Sequence, residues 1–322
     1  MKTSFERGAP HRFSLNGETM GSRYTAVFYG PAGTDLALIG ADLFAAVDRV
    51  DRHMSTWNRD SDLCRLNRAP EQAWMAIPTD LAEVLETALQ VGLDSDGAFD
   101  IGVGELVDAW GFGPAPRCAG APVLAGKEGA CRPAFSRLEV DRAGARVRKH
   151  APIAIDLSAI AKGYGVDQLA RCLDGHGIAN YLVGIDGEMR ARGAKPEGEA
   201  WAVALEKPSV GVREVGGVME LRDMAIATSG DYRRCVTIDG KRYSHTMAPA
   251  LQQPLSNTLA AVTVLAATCM LADAWATALL VAGERAGVAL ACARGIDALF
   301  LVREGGGVRE VLVLDARVQQ LA

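Results

Sequence analysis

The chain is 322 residues long, 49% apolar and 23% charged, with a net charge of −5. That length can bury a full hydrophobic core, and that composition is the profile of a globular protein. Lys and Arg are scattered, not gathered into a stripe or arm, which argues against nucleic-acid binding.

Met1 to Gly21 contains Lys2, Arg7, His11, Arg12 and Glu18 and no apolar run. No signal peptide or lipid-attachment motif is read there, so the expected location is the cytoplasm, or the periplasm if a leader is removed. Arg23 to Tyr29 reads as a strand. Leu36, Ile39, Leu43, Val47 and Val50 recur at helical spacing and predict a helix from Leu36 to Met54. Thr79 is the expected cap of a helix running to about Leu93. Pro114 to Pro133, rich in Pro, Gly and Ala, is expected to be a long surface loop reaching to about 137. A helix opening at or near Ser158 is expected to end at Gly175. Tyr181 to Ile185, Trp201 to Leu205 and Ala261 to Ala266 read as strands, with loose segments at Gly193 to Gly198 and Pro208 to Gly217.

The most apolar stretch, Leu259 to Ala282, contains Asp273 and the polar Thr263, Thr268 and Thr277. It reads as a buried strand followed by a helix over Thr268 to Val281, not as an integral membrane segment. Strands and helices mix without a strict βαβ rhythm, which favours an α+β fold with mixed or antiparallel sheets packed against helices. The seven cysteines form no C-x-x-C pair, which speaks against a zinc site. Cys118 and Cys131 share the long loop and read as free thiols able to pair under oxidation.

Several short motifs carry possible chemistry, each with a structural alternative. Asp273 and Thr277 are four apart in an apolar helix and share a face. A buried carboxylate and hydroxyl suit a hard cation such as Mg²⁺; equally, Asp273 could complement the helix dipole while Thr277 packs. In Ile155-Asp156-Leu157-Ser158-Ala159-Ile160-Ala161-Lys162-Gly163, a strand end leads into a helix start with a nearby lysine, a pattern that receives anions or simply caps a helix. The glycines of Gly97-Ala98-Phe99-Asp100-Ile101-Gly102-Val103-Gly104 permit close approach to a flat ligand or form a turn ahead of Trp110-Gly111-Phe112-Gly113. Thr228-Ser229-Gly230-Asp231-Tyr232 reads as a polar turn, a phosphate-donor candidate or a plain loop. His245 follows the Asp239-Gly240 turn and is one of five histidines.

The order of the motifs is more specific than any one of them. Met20-Gly21, Ser55-Thr56-Trp57, Gly97 to Asp100 with Trp110-Gly111-Phe112-Gly113, Asp156 to Gly163, Ala227 to Tyr232, Ser244-His245 and Ala272 to Thr277 follow one another from about Gly17 to Gly283. In this the chain resembles the ApbE family of FAD:protein FMN transferases. The resemblance implies one ApbE-like, T-fold-like domain over 1–322. It implies a Mg²⁺ site from the Asp273 carboxylate, the Thr277 hydroxyl and the Ala159 carbonyl. It implies FAD contacts at Met20, Trp57, Ala98, Phe99, Asp100, Asp156, Lys162 and His245, with His245 and Asp273 as the catalytic candidates. The expected reaction moves FMN from FAD to a Thr or Ser of an acceptor flavoprotein subunit, with AMP leaving. Many family members read His-x-x-Asp-Pro-x-Thr-Gly where this chain has His245-Thr246-Met247-Ala248-Pro249-Ala250-Leu251-Gln252. Many also have Asp-Pro-Thr where this chain has Asp100-Ile101-Gly102. With Ala248 in place of the carboxylate, two other expectations stand beside transfer: a non-catalytic FAD-binding or delivery protein, and a Mg²⁺-dependent FAD pyrophosphatase giving FMN and AMP.

Overall fold

The structure is a computed structural model that describes residues 10–115, 132–208, 214–232, 235–305 and 307–319. Along the chain come β1 (His11–Thr19), β2 (Ser22–Gly30), α1 (Leu36–Met54), α2 (Asp62–Arg68), β3 (Trp74–Ala76), α3 (Thr79–Asp94) and α4 (Gly104–Ala109). Then follow β4 (Leu138–Asp141), β5 (Arg146–Lys149), α5 (Ala161–Gly175), β6 (Tyr181–Ile185), β7 (Glu188–Arg192), β8 (Trp201–Glu206) and β9 (Val215–Leu221). The last part contains β10 (Ala225–Gly230), β11 (Cys235–Ile238), β12 (Lys241–Ser244), β13 (Met247–Ala248), β14 (Gln253–Pro254), β15 (Leu259–Ala266), α6 (Cys269–Arg294), β16 (Asp297–Glu304), β17 (Gly307–Leu314) and β18 (Arg317–Gln319).

Nine strands form one sheet in the order β1-β2-β6-β7-β10-β15-β16-β17-β18, and every neighbouring pair is antiparallel. The alternation of side chains along each strand assigns the two faces. Ala26, Phe28, Tyr181 and Val183 point to α1 and α5, where Leu43, Val47 and Leu169 are fully buried against them. Farther along the same sheet, Val262, Val264 and Phe300 pack on Leu279 and Leu280 of α6. Val27, Tyr29 and Leu182 face the other way and meet Trp201 and Val203 of the β8–β9 ribbon. Each such fully buried aliphatic or aromatic side chain contributes roughly 1.5–3 kcal/mol. A third layer, α3 with the small β3-β5-β4 sheet, closes over Ile155, Leu157, Ile160 and Tyr164. The fold is therefore α+β.

The helix over Leu36–Met54 and the strand over Tyr181–Ile185 have the bounds that periodicity gives. Other expectations are corrected. Thr79 is the first helical residue of α3, and the cap is Pro78, which has no side-chain acceptor to offer. Ser158 does not open α5; the helix starts at Ala161 behind Ile160, again without a side-chain cap. Thr228, Ser229 and Gly230 are not a turn but the end of β10, because pairing with β15 overrides their polar character. Val215 to Gly217 belong to β9. The conspicuous apolar stretch is β15 and the first half of α6. By length and composition alone α6 would span a membrane, but this half packs on the sheet and carries buried Asp273. Residues 116–131, with Cys118 and Cys131, lie outside the described residues, as do 209–213.

Candidate functional site

The starts of α5 and α6 lie side by side, and each supplies what the other lacks. The first N–H groups of a helix have no partner within it. Gly163, in the first turn of α5, donates its N–H to Asp273 Oδ2 on α6 at 3.0 Å. In return Asp167 of α5 accepts from Cys269 N at 3.0 Å and Met270 N at 2.9 Å, the first two residues of α6. Arg190 of β7 holds Asp167 from behind, Nη1 to Oδ1 at 2.6 Å. The contact is so close that only glycine fits at 163. A Cβ there would sit 2.3 Å from the Cys269 carbonyl oxygen and 2.8 Å from the Asp273 Cβ.

Asp273 is 4% exposed. Burial, reinforced by Glu188, pushes its pKa up to about 7, against the opposing pull of Lys162 and the Gly163 N–H. Thr277, one turn further along the same face, shares a 2.8 Å hydrogen bond with Ser229 at the end of β10. Ala159 precedes the cap of α5, so its carbonyl lies ahead of the helical ladder. Lys162 Nζ reaches Glu188 Oε1 at 2.6 Å. Burial pulls its pKa down, but Glu188, Asp273 and Asp186 outweigh that, so the ammonium stays charged. The junction thus brings Lys162 and Asp273 within electrostatic reach of each other, with Thr277 one turn on from Asp273.

A second strip is stitched onto this junction. Asp156 N donates to the Ile101 carbonyl at 2.8 Å, and Gly104 N to the Ala154 carbonyl at 3.0 Å. Asn67 of α2 clamps Ile155 through both its backbone groups, at 2.8 and 2.9 Å. Asp156 turns its carboxylate onto the Ser158 N–H at 2.8 Å, and burial raises its pKa. Asp100 accepts from Gly102 N at 2.7 Å and Ala134 N at 3.1 Å, and burial raises its pKa too. Phe99 is a core side chain, so only its backbone can face a ligand. Ala98 is in the turn just before it.

Met20 and Gly21 form the two-residue turn of the β1–β2 hairpin, with φ of 46° and 67°. Both central residues of such a turn need positive φ, which glycine adopts freely and methionine at a cost of about 1–2 kcal/mol. The strain is held by packing: the Met20 Cε sits so close to α5 that a Cβ on Gly165 would come within 2.9 Å of it. A cavity of about 580 Å³ opens beyond Met20, but its wall includes Glu18, Asp48 and Asp51. Arg23 stands in the same wall, so the cavity carries both signs of charge.

Two sequence candidates sit at the margin. Trp57, between α1 and α2, is 65% exposed and belongs to none of the apolar clusters. His245, between β12 and β13, presents its ring edge to Phe112 at 6.3 Å. Phe112, Trp110, Tyr243 and Met247 make one small cluster, which joins the Gly-aromatic segment to the Ser244-His245 segment. Asp231 is committed elsewhere, to the guanidinium of Arg303. Sequence reasoning missed Asp167, Arg190 and Glu188. The Asp186-Gly187 pair is a hairpin signal that would have placed Glu188 at the head of a returning strand.

One buried carboxylate, a hydroxyl and a lysine beside two helix starts are groups whose chemistry suits a phosphate-bearing ligand and a hard cation. The sequence profile of the ApbE family matches residues 20–300. An FAD:protein FMN transferase of Vibrio cholerae serotype O1 is 39% identical over 299 residues, 92% of this chain and 89% of its own length. The structure of the flavin transferase ApbE from Vibrio cholerae superposes with a TM-score of 0.84 at 37% identity, covering 94% of this chain and 97% of that one. The apo flavinyl transferase ApbE of Pseudomonas stutzeri does so with a TM-score of 0.83 at 36% identity, covering 96% of each chain. This chain belongs to the ApbE family.

Proposed function

We propose that this chain transfers FMN from FAD to a Thr or Ser hydroxyl of an acceptor flavoprotein, that it does so with Mg²⁺, and that AMP is the other product. The observation that carries the reading is the α5–α6 junction, where a buried carboxylate and a charged lysine meet at two helix starts.

The junction fits a magnesium ion by its donor chemistry. Among the described residues no three His, Cys, Asp or Glu side chains gather to hold a metal by themselves. Mg²⁺ does not need such a cage; it is commonly held by one or two carboxylates, with water and substrate phosphates completing the shell. Asp273 is a buried carboxylate whose charge is poorly compensated, which its raised pKa expresses. Asp273, Thr277 and the Ala159 carbonyl would hold the ion, which would neutralise charge developing on the pyrophosphate.

The residues of the chain then divide the work. Lys162, at the start of α5, attracts the phosphates. Asp100, Asp156 and the backbone at Ala98 and Phe99 line the route for the rest of FAD. Met20 and the exposed Trp57 offer an apolar and an aromatic surface to flat rings. His245 is the base that takes the acceptor proton as the acceptor oxygen bonds to the phosphorus of the FMN half. The bond from that phosphorus to the bridging oxygen breaks, and the oxygen leaves with AMP.

The test is incubation of the chain with FAD and Mg²⁺, with and without an acceptor carrying a Thr flavinylation motif, read by intact mass and AMP release. One added FMN mass on the acceptor, dependent on both FAD and Mg²⁺, is the expected result. FMN and AMP without acceptor would instead make the chain a pyrophosphatase. Bound, intact FAD under all conditions would make it a binding protein.

A further inference from the structure

Lys162 stands among three carboxylates but pairs with only two of them. Its Nζ is 2.6 Å from Glu188 Oε1 and 3.9 Å from Asp186 Oδ2. Asp273 is close enough to act on it electrostatically, yet the two make no ion pair. A lysine ammonium is a mobile point charge with three donors on a flexible stem. Left to itself beside a buried carboxylate it would close onto Asp273, and that carboxylate would no longer be open to a cation.

Glu188 is built to prevent this. It is 5% exposed and opens β7 straight after the Asp186-Gly187 turn, so its backbone is fixed by the hairpin. Its Oε1 is spent on Lys162, while its Oε2 is buried with no hydrogen-bond partner. A buried carboxylate with one unsatisfied oxygen is an expensive way to stabilise a fold, since an apolar replacement of similar volume is often no worse.

We propose that Glu188 is a positioning residue that draws the Lys162 ammonium toward β7 and so keeps Asp273 available to a divalent cation. The proposal rests on the metal reading given above. It separates two roles that charge alone would confuse: Lys162 serves the phosphates, and Glu188 serves the metal by restraining Lys162.

The test is Mn²⁺ binding to the full chain with FAD present, followed by the EPR signal of free Mn²⁺, for four proteins: the parent, Glu188→Gln, Lys162→Met and the double variant. Glu188→Gln should weaken Mn²⁺ binding by roughly tenfold, the lower end of what outer-shell partners contribute at metal sites. In the Lys162→Met background the same substitution should change affinity less than about twofold, because no ammonium remains to restrain. A merely structural role would not produce that difference. Should Glu188→Gln fail to fold, Glu188→Asp, which keeps the charge but shortens the reach, takes its place in the cycle. Parent-like affinity in Glu188→Gln, or an equal loss in both backgrounds, overturns the proposal while leaving the metal reading in place. No Mn²⁺ binding by the parent overturns both.

Discussion

The two ends of the site are built differently. At the α5–α6 junction the carboxylates are buried and tied: Asp167 holds three donors, Asp273 holds Gly163, and glycine is required where the helices touch. At the other end His245 rests on a small aromatic cluster beside two-residue strands, and Leu251 is 66% exposed. In the proposed reaction the junction is the part that neutralises charge, a task that profits from preorganised dipoles that need not move. The open end must admit a protein acceptor and release AMP, and that requires accessible surface. The contrast predicts that substitutions that break the junction's hydrogen bonds cost stability as well as chemistry, whereas those at the open end cost chemistry alone.

The largest effect should come from Asp167→Ala. It strips the partner from partly exposed Arg190 and leaves two buried α6 N–H groups unsatisfied, so chemical denaturation should show a loss of about 2–5 kcal/mol, at about 1–3 kcal/mol for each orphaned N–H. Asp273→Asn keeps a side-chain acceptor for Gly163 but loses the charge. FMN transfer should fall on the order of a thousandfold, several kcal/mol of charge stabilisation, with a melting temperature close to the parent's. A collapse of the fold in that variant would show Asp273 to be structural. His245→Gln should lower the transfer rate by about a hundredfold, the lower range for a general base, and leave denaturation unchanged. If it lowered stability as much as Asp167→Ala, the division between the two ends would be wrong.

A smaller effect is a pH dependence. The folded pKa of Asp273, about 7 without metal, lies above its value in an unfolded chain. The folded state therefore holds that proton over a window in which the unfolded state has lost it. In metal-free protein this group's contribution to stability is greatest at low pH and declines as pH rises from about 4 toward 7. Metal binding must expel the same proton, so Mn²⁺ affinity should fall as pH drops below about 7 and level off above it. An affinity flat from pH 5 to 8 would break the assignment. The smallest effect expected is Trp57→Ala, which should weaken FAD binding by about 1 kcal/mol in a fluorescence titration and nothing else.

What was legible in the sequence follows the same division. The α1 helix, strand β6 and the Asp273/Thr277 face could be read because local periodicity dictates them. The start of α5 could not. Its cap is not a neighbour in sequence but a carboxylate 110 positions away, so Ser158 drew the prediction and Asp273 does the work. Asp167 and Glu188 were invisible for the same reason: an acidic residue on a helix or at a strand head looks solvated until the partner helix is placed. Ser229 was misplaced into a turn because strand pairing, not composition, decides its conformation. The order of the motifs carried the resemblance to the family, and the fold brings two of them, Asp156 to Gly163 and Ala272 to Thr277, together where α5 meets α6.

Halfway along α6, Gly283 leaves the helical conformation with φ of 80° and ψ of 174°. Asn257 donates to the Leu280 carbonyl at 2.8 Å, close to the break. The helix is thus two rods with a joint, the first carrying Asp273 and Thr277 and the second packed on the last strands. A joint of this kind uncouples two directions: the second rod can follow the last strands while the first keeps Asp273 against α5. A Gly283→Ala chain would have to strain its backbone at this positive φ or straighten the rod, and the second course would pull Asp273 and the last strands out of their present register.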